Sequence, residues 1–280
     1  MSDSSLQILI DLALKEDVKS GDVTSQALFG DGLISKEAFL VAKEEGVLAG
    51  LFVAQKVFQA VDPQIIFEEL ISDGQAFKTG QKIAKISGSL QSILTAERTA
   101  LNFLQHLSGI ASLTQKFVKA VSGTSVKILD TRKTLPAYRD LEKYAVKMGG
   151  GENHRQGLYD QYLIKDNHLM GRSITEALQL VKNHNHDGKK VEIEVYRLDQ
   201  IEEVLKSGAD IILLDNFSPT DLKKAIALVN CLASGRTQTE ASGGINLQNV
   251  LEYAQTGVDR ISIGALTHSA KALDIGLEIF

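Results

Sequence analysis

Six times from Val126 onward the chain runs through a short apolar stretch and stops on a polar cluster. The stretches are VKILDTRK from Val126, YLIKDNH from Tyr162, VEIEV from Val191, DIILLDN from Asp210, TEASGG from Thr239 and RISIGA from Arg260. Strands that are apolar on both faces belong to parallel sheets covered on both sides. Helix-like stretches lie between them, so the pattern predicts an α/β barrel. Such barrels carry their chemistry at the carboxyl ends of the strands. One mouth should therefore gather Asp130, Arg132, Lys133, Lys165, Asn167, His168, Glu194, Asp215, Ser242 and Gly264.

The first part of the chain reads differently. Leu6, Leu9, Ile10 and Ala13 share one helical face, and Ala54, Val57, Phe58 and Val61 repeat at helical spacing up to Pro63. Residues 37–42 read as a strand, and residues 65–86 alternate strand-like pieces with DG and TG turns. The string ISDGQAFKTGQKIAKISG is similar to the hammerhead of biotinyl and lipoyl carriers, but it has no exposed hairpin-tip lysine to modify. It reads as a structural sandwich piece. A long helix follows, with Ser92 or Thr95 as candidate caps and Leu94, Leu101, Leu104 and Leu107 along one stripe. Ser108-Gly109 are expected to interrupt it, which sets the expected domain boundary near Ile110.

A net charge of −5 argues against general nucleic-acid affinity while allowing a local basic pocket. Cys231 is the single cysteine, which excludes an intrachain disulfide and a cysteine zinc cluster. It reads as a small core residue near a helix end. No apolar stretch is long enough to span a bilayer, and MSDSSLQ has no basic-then-apolar signal. No membrane partner is expected, and the expected location is the cytoplasm.

The polar clusters suggest a chemistry. Arg132, Lys133, His154, Arg155, Lys165 and His168 crowd cations onto strand ends, with Arg98 and His106 on the preceding helix. Arginine's planar fork matches carboxylates and phosphates, so the substrate should carry several negative charges. Glu194 and Asp215 end successive strands. Two carboxylates beside a phosphate site commonly hold magnesium, and no HExxH spacing points to zinc. The glycine turns Ser242–Ile245 and Ile263–Ala265 close the last two strands, where barrels often bind phosphate through backbone N–H groups. His184 and His186 read as solvated loop residues, and His106 reads as a satisfied core histidine.

Read in order, these strings resemble the quinolinate phosphoribosyltransferases, also called nicotinate-nucleotide pyrophosphorylases (carboxylating). The strings are EDVKSGDVTS (Glu16–Ser25), LTAERTALNFLQHLSGIAS (Leu94–Ser112), ILDTRKTLPAYR (Ile128–Arg139), KYAVKMGGGENHRQGLYD (Lys143–Asp160), IKDNH, EIEV, LLDN, EASGGI and SIGALTHS (Ser262–Ser269). The resemblance implies an N-terminal α/β sandwich domain over 1–110 and an incomplete barrel of the type II phosphoribosyltransferases over 111–268. Residues 269–280 are expected to pack back on the first domain.

It also implies a reaction: quinolinate and phosphoribosyl pyrophosphate give nicotinate mononucleotide, pyrophosphate and carbon dioxide, with magnesium, in a homodimer or an assembly of dimers. Arg132, His154, Arg155 and Lys165 match the family's dicarboxylate pocket, and Arg98 would reach in from the partner subunit. Lys133, His168 and His268, with Lys165 and the turns Ser242, Gly243, Gly244 and Gly264, Ala265, would hold phosphates. Glu194 and Asp215 would orient the metal and the ribose, and catalysis would rest on Lys133, Lys165, Glu194 and Asp215. Two departures stand out. EIEVYR replaces a common EVEVEN, which puts Tyr196 and Arg197 at the end of a strand, and Ala137 sits where glycine is frequent. The alternatives weighed are a pyrophosphorylase-like protein of molybdenum operons, a nicotinate phosphoribosyltransferase and a non-catalytic carrier module. The intact NHR and KDNH strings count against the first, and the surplus of pocket cations against the second.

Overall fold

A computed structural model describes residues 3–30, 34–232 and 237–280. The chain divides into two compact units: residues 1–115, 135–150 and 269–280 make the first, and residues 116–134 and 151–268 the second.

The first unit is built on a four-stranded antiparallel sheet. Its order is Ile275–Ile279, Ser35–Ala42, Lys82–Ser89, Ile66–Glu69. Leu40, Val41, Ala42, Ile83, Ala84, Ile86 and Ile275 are buried here, together with the apolar face of the Leu51–Val61 helix. The last strand pairs residue for residue with Ala38–Ala42.

The long helix runs unbroken over Leu90–Ala120, so the boundary expected near Ile110 falls inside it. Ser108 and Gly109 do not interrupt it. The Ser108 hydroxyl is buried and accepts the N–H of Ala49. A Cβ on Gly109 would lie 2.2 Å from the Lys271 carbonyl oxygen. The glycine therefore serves a close backbone approach rather than a break. The helix start lies at Leu90 rather than at Ser92 or Thr95, and Ser89 supplies a hydroxyl that accepts Ser92 N–H at 3.4 Å.

The Arg139–Met148 helix also falls in the first unit, although the sequence reading ran the barrel continuously over 111–268. Its partners explain the difference. The Tyr144 hydroxyl donates to Asp73 at 2.6 Å, and the fully buried Glu142 lies 2.9 Å from His106 Nε2. A Cβ on Gly149 would meet Ala111 O at 2.3 Å. His106 is thus a satisfied histidine, as its place on the helix suggested.

All six predicted runs are strands of one parallel sheet in the second unit. The order is Lys127–Leu129, Arg260–Ser262, Gln238–Ser242, Ile211–Asp215, Val191–Val195, Tyr162–Ile164. The two outer strands do not pair with each other among the described residues, so the barrel is incomplete. Every residue of Val191–Val195 is buried, as are Ile211 to Leu214, which is the two-sided cover that a parallel strand requires. The register sets Ser242 opposite both Asp215 and Ser262, and Ser262 opposite Leu129. The carboxyl ends of these strands are therefore level.

Cys231 is exposed, contrary to the core reading. The Pro219–Leu232 helix buries Leu222, Ala225, Ile226 and Val229, and helical spacing from that stripe carries position 231 off the buried face. Among the described residues no helix is long and apolar enough to cross a membrane.

Candidate active site

At the carboxyl ends of the parallel strands the second unit encloses a cavity of about 800 Å³, a volume typical of small-molecule sites. Of the residues singled out from the sequence, Arg132, Lys133, His154, Arg155, Lys165, Glu194, Asp215, Ser242, Gly243, Gly244, Gly264, Ala265 and His268 line it.

The cations come from three places. Arg132 and Lys133 follow the Lys127–Leu129 strand directly. The Lys133 backbone is pinned by its N–H to the Thr131 hydroxyl and by its carbonyl, which accepts from Thr267 Oγ1 at 2.7 Å. Arg132 Nε is buried with no hydrogen-bond partner. A buried guanidinium donor left unmet is what an anion would satisfy. Arg155 is buried, and its Nη1 donates to the Gln161 carbonyl at 3.2 Å. Burial, and then the charge of Arg132, push the Arg155 guanidinium down from its ordinary value. Two guanidinium groups thus share one pocket with too little counter-charge.

The carboxylates face them. The Glu194 carboxylate is buried, 3.0 Å from the Lys165 ammonium. Burial first, and then the charge of Glu194, raise Asp215 above the ordinary carboxylate range. Asn216, in a left-handed conformation at φ +57°, donates its side-chain N–H to Asp215 at 2.6 Å. The mutual repulsion of Glu194 and Asp215 is a site where a hard divalent cation fits.

The glycine turns are shaped for close approach. Gly243 and Gly244 have φ of +98° and +65°. A Cβ on Gly264 would lie 2.9 Å from Lys133 Cδ and 3.1 Å from His268 Nε2. Glycine there lets a lysine and a histidine share one turn.

Several predicted residues lie elsewhere. Asp130 is fully buried and accepts the backbone N–H of His154 at 2.9 Å, so it braces the site rather than facing it. His168 does not line the cavity. It sits on the one-turn Asp166–Leu169 helix, where its Nδ1 accepts Lys165 N–H, and it borders a smaller depression with Arg172. Asn167 is exposed. Arg98 belongs to the first unit, exposed and 3.8 Å from Glu97. Arg197 is exposed and paired with Asp199. Burial, and then the charge of Glu194, raise the Tyr196 phenol.

Beside the cavity lies a charged cluster that the strand-end rule overlooked. His154 Nε2 is 3.2 Å from Glu192 and 3.3 Å from Glu240, and Arg260 Nε is 3.2 Å from the other oxygen of Glu240. Both glutamates are fully buried. The signal was present as acids at alternate positions inside apolar strands, which face the barrel interior. Burial alone would lower His154, but the two carboxylates facing its ring N–H outweigh it and pull the imidazole up to about 9. Against this, Nδ1 accepts the Arg155 backbone N–H at 2.7 Å, which a protonated Nδ1 cannot do. The contact decides for a ring with its hydrogen on Nε2. Burial, and then the charge of Glu240, raise Glu192 above the ordinary carboxylate range.

The three ligand atoms of His154, Glu192 and Glu240 lie within 4.8 Å of one another, as a metal site would need. An Nε2 that carries hydrogen offers no lone pair, and Arg260 already balances Glu240. Glu194 and Asp215 suit a cation better.

Comparison with known proteins adds the following. Residues 110–278 match the family model described as quinolinate phosphoribosyl transferase, C-terminal domain, and residues 22–108 match its N-terminal counterpart. A probable nicotinate-nucleotide pyrophosphorylase (carboxylating) of Bacillus subtilis is 40% identical, over 100% of this chain and 95% of that protein. The nicotinate-nucleotide pyrophosphorylase (carboxylating) of Mycobacterium leprae is 42% identical over 95% of this chain and 94% of its own length. The solved structure of the nicotinate-nucleotide pyrophosphorylase from Francisella tularensis superposes with a TM-score of 0.94 at 40% identity, covering 100% of this chain and 98% of that one.

Proposed function

Because the chain belongs to the quinolinate phosphoribosyltransferase family, we propose that its barrel cavity joins quinolinate to phosphoribosyl pyrophosphate and releases pyrophosphate and carbon dioxide. The product, nicotinate mononucleotide, feeds NAD biosynthesis. The observation that carries this reading is the pair Arg132 and Arg155, short of counter-charge on one wall of the cavity, with glycine turns and a carboxylate pair on the others.

The chemistry follows from where the charges stand. The two carboxylates of quinolinate bind to Arg132 and Arg155, with Lys165 beside them. The turns at Ser242–Gly244 and Gly264–Ala265, with His268, receive the 5′-phosphate through backbone N–H groups. Lys133 stabilises the charge that builds on the departing pyrophosphate. Glu194 and Asp215 offset the positive charge that develops on the ribose as its bond to pyrophosphate breaks. The pyridine nitrogen then attacks the ribose. The positively charged ring stabilises the electron pair that the 2-carboxylate leaves on C2 as its bond breaks, and C2 then takes a proton from water, so carbon dioxide departs without a covalent enzyme intermediate. Preorganised charge in a partly desolvated site supplies the rate. Magnesium held by Glu194 and Asp215 would neutralise the pyrophosphate. The enzyme works in the cytoplasm as a dimer or an assembly of dimers, and Arg98 completes the partner's site.

Purified protein with quinolinate, phosphoribosyl pyrophosphate and magnesium should release pyrophosphate and carbon dioxide in equal amounts. Nicotinate in place of quinolinate should give neither. Turnover of nicotinate, or pyrophosphate release with no carbon dioxide, would refute the reading.

A further inference from the structure

Two neighbouring strands of the parallel sheet, Lys127–Leu129 and Arg260–Ser262, end level with each other. The loops that follow them bring different groups to the cavity. The first carries Lys133, and the second carries the Gly264–Ala265 turn and His268. Past a strand end no ladder fixes the spacing of two loops, yet these two are joined twice. At the base the Ile263 N–H donates to the Leu129 carbonyl at 2.9 Å. At the tip the Thr267 hydroxyl donates to the Lys133 carbonyl at 2.7 Å.

The second link is not the ordinary use of a helical threonine. Such a hydroxyl commonly turns back to a carbonyl three or four residues earlier in its own helix. For Thr267 that acceptor is the Gly264 carbonyl, 3.2 Å away. It already receives the backbone N–H groups of Thr267 and His268. A hydroxyl has one hydrogen to give, and the shorter contact runs to Lys133, 134 positions away in the chain. Thr267 is buried and does not line the cavity, so the bond is shielded from water and from any ligand. The Lys133 side chain in turn lies close over the Gly264 turn. Backbone and side chain of Lys133 are thus both set against the element that follows the neighbouring strand.

We propose that Thr267 is a positioning residue that fixes the spacing between two phosphate subsites, the Gly264 turn for the 5′-phosphate and Lys133 for the pyrophosphate. It thereby selects a ligand with phosphate at both ends of a ribose. This rests on the reading of the cavity given above and adds to it a residue that touches no substrate.

Thr267→Val keeps the branched shape and removes the donor. A carbon atom approaches a carbonyl oxygen no closer than ~3.3 Å, against 2.7 Å for the hydroxyl, so the Lys133 loop must retreat by ~0.6 Å. The KM for phosphoribosyl pyrophosphate should rise ~5–10-fold, the upper range for one hydrogen bond, while the KM for quinolinate changes by less than about twofold. Calorimetry without quinolinate should show the same split: phosphoribosyl pyrophosphate weakened ~5–10-fold, and ribose 5-phosphate, which fills the turn alone, within about twofold of wild type. Thr267→Ser keeps the hydroxyl and should return the KM for phosphoribosyl pyrophosphate to within about twofold of wild type.

Equal weakening of all three ligands would mark a merely destabilised protein and overturn the proposal. So would unchanged phosphoribosyl pyrophosphate binding, or a Thr267→Ser protein that behaves like Thr267→Val. Thr267→Ala, which adds no bulk, takes the place of the valine variant if that one does not fold, with the same outcomes expected; failure of both to fold would make the hydroxyl a purely structural group and overturn the proposal too. Wild-type protein that binds phosphoribosyl pyrophosphate but does not turn over quinolinate would refute the functional reading instead, and the calorimetric comparison of the two phosphate ligands would still decide the role of Thr267.

Discussion

Gly243→Ala isolates the link between a phosphate turn and the carboxylate beside it. Gly243 has φ +98°, and the added Cβ would fall 2.1 Å from Asn216 Oδ1 and 3.1 Å from Asn216 N. The conformation alone costs an L-residue ~1–2 kcal/mol. The backbone cannot give, because Asn216 N–H is already bonded to the Ser242 carbonyl at 2.8 Å. The Asn216 amide must therefore swing away, and with it goes the 2.6 Å hydrogen bond to Asp215. A hydrogen bond to a charged group contributes ~1.5–3 kcal/mol, so kcat/KM for phosphoribosyl pyrophosphate should fall ~10–100-fold. Initial rates with that substrate varied, at saturating quinolinate, measure it. Thermal unfolding should show a loss of a few degrees. The double variant Gly243→Ala with Asn216→Ala should have a kcat/KM no lower than that of Asn216→Ala alone, because the side-chain clash has lost its partner and only the backbone strain remains. A Gly243→Ala protein that folds and keeps kcat/KM within about twofold of wild type would refute the coupling.

Three further outcomes are expected. Asp215→Asn relieves the repulsion from Glu194 that raises Asp215, so the fold should persist while turnover drops and the magnesium titration curve shifts; unchanged rate and curve would remove the metal role. Ala137 holds a left-handed φ of +65°, so Ala137→Gly should stabilise the protein by ~0.5–1 kcal/mol, the strain relieved less glycine's added entropy cost, read as a higher denaturant midpoint at constant slope. Arg98→Ala and Arg155→Ala proteins, each inactive alone, should regain activity on subunit exchange, because a mixed dimer holds one site with both defects and one with neither; confirmed exchange without activity would confine Arg98 to its own subunit.

Much of this was legible before any coordinates. The six barrel strands were readable because burial on both faces leaves little but apolar residues in each run. Their polar ends were readable because the barrel's chemistry sits there. What could not be read is which way a side chain turns once its strand has ended. Asp130 directly follows a strand yet points into the structure to hold His154 N–H, and His168, one helical turn past its strand, folds back onto Lys165. Ser108-Gly109 looked like a helix break because composition shows a small residue but not the backbone that presses against it. The Glu192–Glu240–His154–Arg260 cluster escaped because its members are far apart in sequence and meet only through strand register. Ala137 gave a clear local signal: the family resemblance implies a frequent glycine there, and the chain adopts a left-handed φ of +65°.

The antiparallel sheet of the first unit also bears on how this protein avoids self-association. Ile275–Ile279 pairs with Ala38–Ala42 and so covers an edge that would otherwise be open. An uncovered edge strand is a template for unwanted pairing. Removing residues 275–280 would therefore leave every residue that lines the cavity in place while exposing a ready partner for a strand of another molecule.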